Sequence, residues 1–186
     1  MKGIIFNLLE EVITAEHGPD AWDDLLDAAG FDGVYTSLGN YADEEFVALL
    51  ARMPATFGAG IDEQLRWFGR SSMPLLADRY GTFFERPDST ASFLRSINDV
   101  IHTEVRKLYP DADVPTFDFD PVPDLTPPAD AVVMGYSSRR RLCALAEGFI
   151  QGAAQRFKET ASVEQPRCMH RGDEKCVLVC TFASAA

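Results

Sequence analysis

Tyr136, Ser138 and Arg140 stand at alternate positions, so an extended chain would project a phenol, a hydroxyl and a guanidinium to one side. All three donate hydrogen bonds, and the arginine fork forms charge-assisted bonds to carboxylates. The string therefore suits a ligand that bears two carboxylates, although a solvated strand end with a basic run would read similarly. A second group is His102, one of three histidines with His17 and His170. It borders an apolar stripe of helical period, where an imidazole is more often a satisfied core residue than a metal ligand. The third group is the cysteines. Cys143, Cys168, Cys176 and Cys180 all lie in the last quarter of the chain, where a reducing compartment favours thiols or a metal site over a structural disulfide. Zinc takes four N or S ligands in a closed site, and Cys168 and Cys176 flank a Gly172 turn at a spacing that serves one. Cys180 also reads as a buried strand residue.

The elements that must position these groups follow from periodicity. Ile4, Ile5, Leu8, Leu9, Val12 and Ile13 recur at helical spacing and stop before Gly18. A second helix carries Trp22, Leu25, Leu26 and Ala29 and closes at Gly30, and 33–41 reads as a loop. Helices are predicted over 42–57 and from Ile61 to about Tyr80. Pro87-Asp88-Ser89 starts another, whose stripe of Phe93, Leu94, Ile97, Ile101, Val105 and Leu108 runs to a stop at Pro110. The proline-rich stretch from Pro115 to Pro128, with Phe117, Phe119 and Val122, predicts an extended crossover with short strand pieces. A strand over 131–138, a helix over 139–157 and a hairpin of 163–169 with 175–182 complete the chain. The fold class is α+β: a helical N-terminal part, then an antiparallel sheet with one inserted helix.

At 186 residues, 46% of them hydrophobic, the chain suits one domain, residues 1–186. Seventeen basic against 29 acidic side chains give a net charge of −12, which repels nucleic acid and anionic lipid, so neither is expected as a partner. No run approaches the roughly 20 apolar residues of a membrane span. The opening residues lack the basic region of a secretory signal, which makes a cytoplasmic location the expectation. Neither G-x-S-x-G nor H-E-x-x-H occurs, and the acidic residues fall mostly on solvated helix faces, so no enzyme is expected.

Taken together, the opening Met1-Lys2-Gly3, His102, Pro115 thirteen residues later, Tyr136-x-Ser138-x-Arg140 and the following Leu-Cys-x-Leu-Ala-Glu-Gly-Phe-Ile segment resemble the H-NOX (haem nitric oxide/oxygen binding) family over essentially the whole chain. This family is the bacterial relative of the soluble guanylate cyclase haem domain. The resemblance implies haem b as cofactor, His102 as the iron ligand, and Tyr136, Ser138 and Arg140 as the propionate clamp. It further implies that Pro115 presses on the porphyrin, that Ile5 packs on the macrocycle, and that Asp43 pairs with Arg140. Members that keep oxygen bound carry a distal tyrosine where this chain has Leu145, so nitric oxide and carbon monoxide are the ligands implied. From their composition alone, Leu9, Phe68 and Phe83 are expected to complete the apolar pocket. Nitric oxide is then expected to weaken the iron–His102 bond and signal to a separate protein, such as a histidine kinase or a cyclic-di-GMP enzyme. Some relatives hold zinc with three cysteines and a histidine. Cys143, Cys168 and Cys176 match the cysteines, whereas Gln165 occupies the histidine position, which leaves His170 and Cys180 as nearby candidates. A thiol or zinc redox sensor with haem secondary is the competing expectation, and a haem-storage protein a further one.

Overall fold

A computed structural model describes residues 1–109 and 111–185, with 54–57 described in backbone only. Helices α1 (Gly3–His17), α2 (Ala21–Ala29), α3 (Asp43–Phe57) and α4 (Ile61–Arg79) form the N-terminal part. Their apolar stripes meet in one core, in which Phe6, Leu9, Ile13, Leu25, Leu49 and Phe68 are buried. Each such side chain removed from water contributes about 1.5–3 kcal/mol. Gly18 and Gly30, at φ 97 and 78, end the first two helices where the sequence places them. Gly3 is required by a close approach, since a Cβ there would stand 1.9 Å from the Thr36 carbonyl oxygen. The loop before α3 thereby crosses the start of α1, and Lys2 bridges Asn40.

A short helix, α5 (Thr82–Glu85), follows that periodicity does not reveal, since four residues carry no stripe. Next come α6 (Thr90–Ser96), a π-helical turn (Ile97–Ile101) and α7 (His102–Leu108) as one run. Ser89 caps it in a capping box with Ser92. The predicted stop at Pro110 lies outside the described residues. Leu108, placed in the stripe by sequence, is 57% exposed.

Strands β1 (Thr116–Asp118), β2 (Val132–Ser137), β3 (Glu159–Arg167) and β4 (Cys176–Ser184) form one antiparallel sheet in the order β1-β2-β4-β3, with α8 (Cys143–Arg156) inserted between β2 and β3. Two boundaries differ from expectation. The helix predicted from Arg139 begins at Cys143, because Arg141 sits at φ 51 and its N–H bonds the Ser138 carbonyl in a turn. β3 begins at Glu159, four residues early, because Lys158 at φ 58 reverses the chain directly out of α8. Its start, Glu-Thr-Ala-Ser, has no apolar alternation to read.

Helix α8 is buried nearly all round, as expected of a helix sandwiched between α4 and the sheet. The contact with α4 is backbone-close: Cβ atoms at Gly69 and Gly148 would stand 2.6 Å from the Leu145 carbonyl and 2.3 Å from that of Arg66. Gly148→Ala must therefore push the two halves apart. Overpacking of this kind costs about 1–3 kcal/mol, so thermal unfolding of this variant is expected roughly 2–12 °C below wild type for a domain of this size; an unchanged midpoint by circular dichroism would contradict the packing. Among the described residues no helix is long and apolar enough to cross a membrane.

Candidate functional site

Between the helical part and the sheet lies a cavity of about 540 Å3, within the range of small-molecule and cofactor sites. One wall is apolar and comes from α1, α4 and α8: Ile4, Ile5, Leu8, Leu76, Leu145 and Phe149. The opposite wall comes from the α6–α7 run and the sheet, with Ile97, Ile101, Phe117 and Met134 around His102. Pro115 and Phe83 also line it, as sequence suggests. Leu9 and Phe68 do not: both are fully buried in the helical core.

His102 owes its aim to the π turn. Its backbone N–H bonds the Ile97 carbonyl five residues back, a turn with one residue more than an α-helix, of the kind frequent at functional sites, and both Ile97 and His102 line the cavity. Asn98 fixes the turn to the sheet by donating its side-chain amide to the Phe117 carbonyl. The His102 ring stacks on Phe117 at 5.6 Å, and Phe117 in turn contacts Tyr136 at 5.7 Å. The imidazole is 9% exposed, and its Nδ1 is buried with no hydrogen-bond partner. Burial, with the positive charge of Arg106 nearby, pushes its pKa down to about 4, so at neutral pH it is the uncharged form, the one that ligates metals. A buried donor without a partner costs about 1–3 kcal/mol.

Tyr136, Ser138 and Arg140 all line the cavity, although the strand ends at Ser137 and Arg140 arrives through the following turn. Burial pushes the Tyr136 phenol up to about 12, its hydroxyl facing Ser138 and the Leu142 backbone. Ser138 Oγ accepts from the Arg140 N–H at 3.3 Å. Arg140, its side chain 11% exposed, donates Nε to Asp43 at 2.9 Å and Nη1 to the Asp113 carbonyl at 2.6 Å. The expected Asp43 pairing is present. Asp43 also accepts from the Met1 amine at 2.7 Å; burial alone would raise its pKa, and these two cations outweigh burial and lower it. Sequence reading misses Asp113 and Arg139, which pair at 2.8 Å beside this cluster, and Lys2, which also lines the cavity. No pattern distinguishes them from other surface charges before the loop folds. The result is a mouth in which cationic groups outnumber the carboxylates that hold them.

The Sγ atoms of Cys143, Cys168 and Cys176 meet in a separate buried cluster, all within 4.8 Å of one another. His170 and Cys180 do not join it. The His170 ring bonds the Arg141 carbonyl at 2.7 Å, and Cys180 is buried in β4 opposite Val132 and Val163.

An apolar chamber with one neutral imidazole in its wall and a guanidinium at its edge has the chemistry to take a flat, acid-bearing cofactor through a nitrogen ligand. The chain belongs to the haem-NO-binding (H-NOX) family, whose sequence profile matches residues 2–165. No curated protein sequence matches it. Solved structures do. An H-NOX protein from S. oneidensis in the Fe(II)NO ligation state is 34% identical, with a TM-score of 0.87 over 99% of this chain and 100% of that one. An H-NOX domain from Shewanella oneidensis in the Fe(II)CO state is 34% identical, with a TM-score of 0.85 over 98% and 99%. The Fe(II) unliganded H-NOX protein from K. algicida is 26% identical, with a TM-score of 0.85 over 99% and 97%. The α+β fold is thus that of the family. The residues present fit haem: the neutral His102 imidazole in the cavity wall, the apolar walls and the cationic groups Lys2, Arg139 and Arg140 have the chemistry to answer its iron, ring and propionates.

Proposed function

We propose that residues 1–186 form a single haem-based nitric oxide sensing domain that also binds carbon monoxide, excludes oxygen and passes its signal to a separate protein. The observation that carries this reading is His102, a neutral imidazole in the wall of an apolar cavity. Bound haem b would supply a ferrous iron that takes diatomic gases. His102 would ligate that iron, Tyr136, Ser138 and Arg140 would hold the propionates, and Pro115 and Ile5 would press on the ring. Leu145, in the cavity wall, offers a bound gas no hydrogen bond. His102 then acts as a two-state element. Held, it fixes α7 against the cavity; released, it lets the α6–α7 run move relative to α1 and α4. The signal leaves through the surface to a histidine kinase or a cyclic-di-GMP enzyme in the cytoplasm, with no catalysis by this domain.

Absorption spectra of protein purified from haem-replete cells test the reading. An intense Soret band at stoichiometric haem supports it, whereas colourless protein with bound zinc supports the thiol or zinc redox alternative. The clamp has its own test. Arg140→Ala removes a charge-assisted interaction of about 1.5–3 kcal/mol, so transfer of haem to an apo acceptor is expected roughly 10–100 times faster, and an unchanged rate would remove Arg140 from the clamp.

A further inference from the structure

Although α6 and α7 form one run, they are held very differently. Thr90, Phe93 and Leu94 of α6 are buried. The Thr90 N–H donates to the Glu159 carboxylate at the start of β3 at 2.9 Å, and Phe93 stacks on Phe84 at 4.7 Å. In α7, His102 is the one buried side chain, whereas Thr103, Arg106, Lys107 and Leu108 are exposed. Lys107 pairs within the same helix, with Glu104 at 2.6 Å. α7 is therefore a short arm between the π turn and Tyr109, where the chain is buried again.

The turn has two settings within reach. As it stands, the His102 N–H bonds the Ile97 carbonyl, and the Asn98 carbonyl accepts from the Thr103 hydroxyl at 3.2 Å. In α-helical pairing the His102 N–H would take that Asn98 carbonyl instead, four residues back. The exchange passes one residue out of the turn, so α7 would turn by about 100° and shift by about 1.5 Å relative to α6. Two contacts with β1 oppose it: the Asn98 side-chain amide donates to the Phe117 carbonyl, and the His102 ring stacks on the Phe117 ring at 5.6 Å.

We propose that the π turn at Ile97–Ile101 is the joint of the domain, pinned to β1 by Asn98, and that loss of the His102 bond lets α7 turn on a stationary α6. This rests on the haem reading above, in which ligation would hold the imidazole at the cavity wall and so keep the turn in its π setting. Asn98 does not line the cavity; it is a positioning residue that acts on the iron ligand through the turn.

The test follows amide hydrogen exchange and resonance Raman spectra of the ferrous, haem-loaded protein. In His102→Ala supplied with imidazole, the haem stays while its link to α7 is cut, and alanine preserves the helix. Losing the one buried anchor is expected to speed exchange in α7 roughly 10–100-fold and to leave α6 within about twofold of wild type. Deleting the exposed Asp99 removes the extra residue of the turn. In this shortened protein His102→Ala is expected to change α7 exchange by less than about threefold, because α7 then continues α6 without a joint. Asn98→Asp keeps the shape and loses the amide donor, so α7 exchange should quicken about 2–10-fold with His102 in place. The iron–histidine stretching band should shift in the same variant, and the iron–imidazole band of His102→Ala should not move when Asn98→Asp is added. If α6 quickens as much as α7, the run moves as one piece; if the shortened protein responds as the full one does, the turn is no joint. Either result overturns the inference, and an unmoved iron–histidine band in Asn98→Asp removes Asn98 as the pin. Should the shortened protein fail to fold, the two full-length variants decide. A wild type with no iron–histidine band would overturn the haem reading and the joint with it, whereas a wild-type band with α6 and α7 responding alike sinks the joint alone.

Discussion

His102→Gly is expected to emerge from haem-replete cells with pigment reduced at least about tenfold, and to regain it when imidazole is supplied in the buffer. Among the described residues that line the cavity, His102 is the one imidazole, so the variant would lose the proposed iron–nitrogen bond and keep the apolar walls and the propionate contacts. Free imidazole replaces the missing ligand without restoring the link to α7. A companion variant separates ligation from folding. In the apo-protein, the unpartnered Nδ1 of His102 costs about 1–3 kcal/mol, so His102→Leu is expected to unfold at higher denaturant than wild-type apo-protein while binding no haem. Activity-linked sites commonly trade stability in this way. Full haem retention in either variant without imidazole would remove the ligand assignment.

The second large effect concerns oxygen. Reduced wild type in air is expected to show no stable oxy spectrum, because Leu145 presents only methyl groups to the cavity. Leu145→Tyr places a phenol in that wall. A hydrogen bond to a polarised, partly charged ligand contributes about 1.5–3 kcal/mol, so oxygen affinity is expected to rise roughly 10–100-fold, with much less change for carbon monoxide. The check is an oxygen titration of the ferrous protein by absorption. A persistent oxy complex in wild type would overturn the nitric oxide assignment, and an unchanged affinity in Leu145→Tyr would place position 145 away from the gas.

Much of this site is legible in the sequence because its parts are local. Tyr136, Ser138 and Arg140 lie within five residues, Gly18 and Gly30 stop helices by their backbone freedom, and the stripe around His102 is long. What fails to read is set by long-range packing. The π turn at Ile97–Ile101 depends on Asn98 reaching the Phe117 carbonyl, 19 residues on, and no 3.6-residue pattern announces it. Arg141 in a left-handed conformation ends the strand and delays α8, although arginine favours neither event. Leu9 and Phe68 share the composition of the cavity wall yet face the helical core, since periodicity finds an apolar face without saying which of two apolar neighbours it meets. Asp113 and Arg139 acquire meaning only when the loop brings them to Arg140 and Asp43.

The central claim, that the imidazole of His102 is bonded to haem iron, is tested most directly by resonance Raman spectroscopy of the ferrous protein grown with 15N-labelled histidine. An iron–nitrogen stretching band that moves to lower frequency on labelling, and that no longer moves in labelled His102→Gly rescued with unlabelled imidazole, is the expected result. A band insensitive to the label, or one still sensitive in the glycine variant, would contradict it.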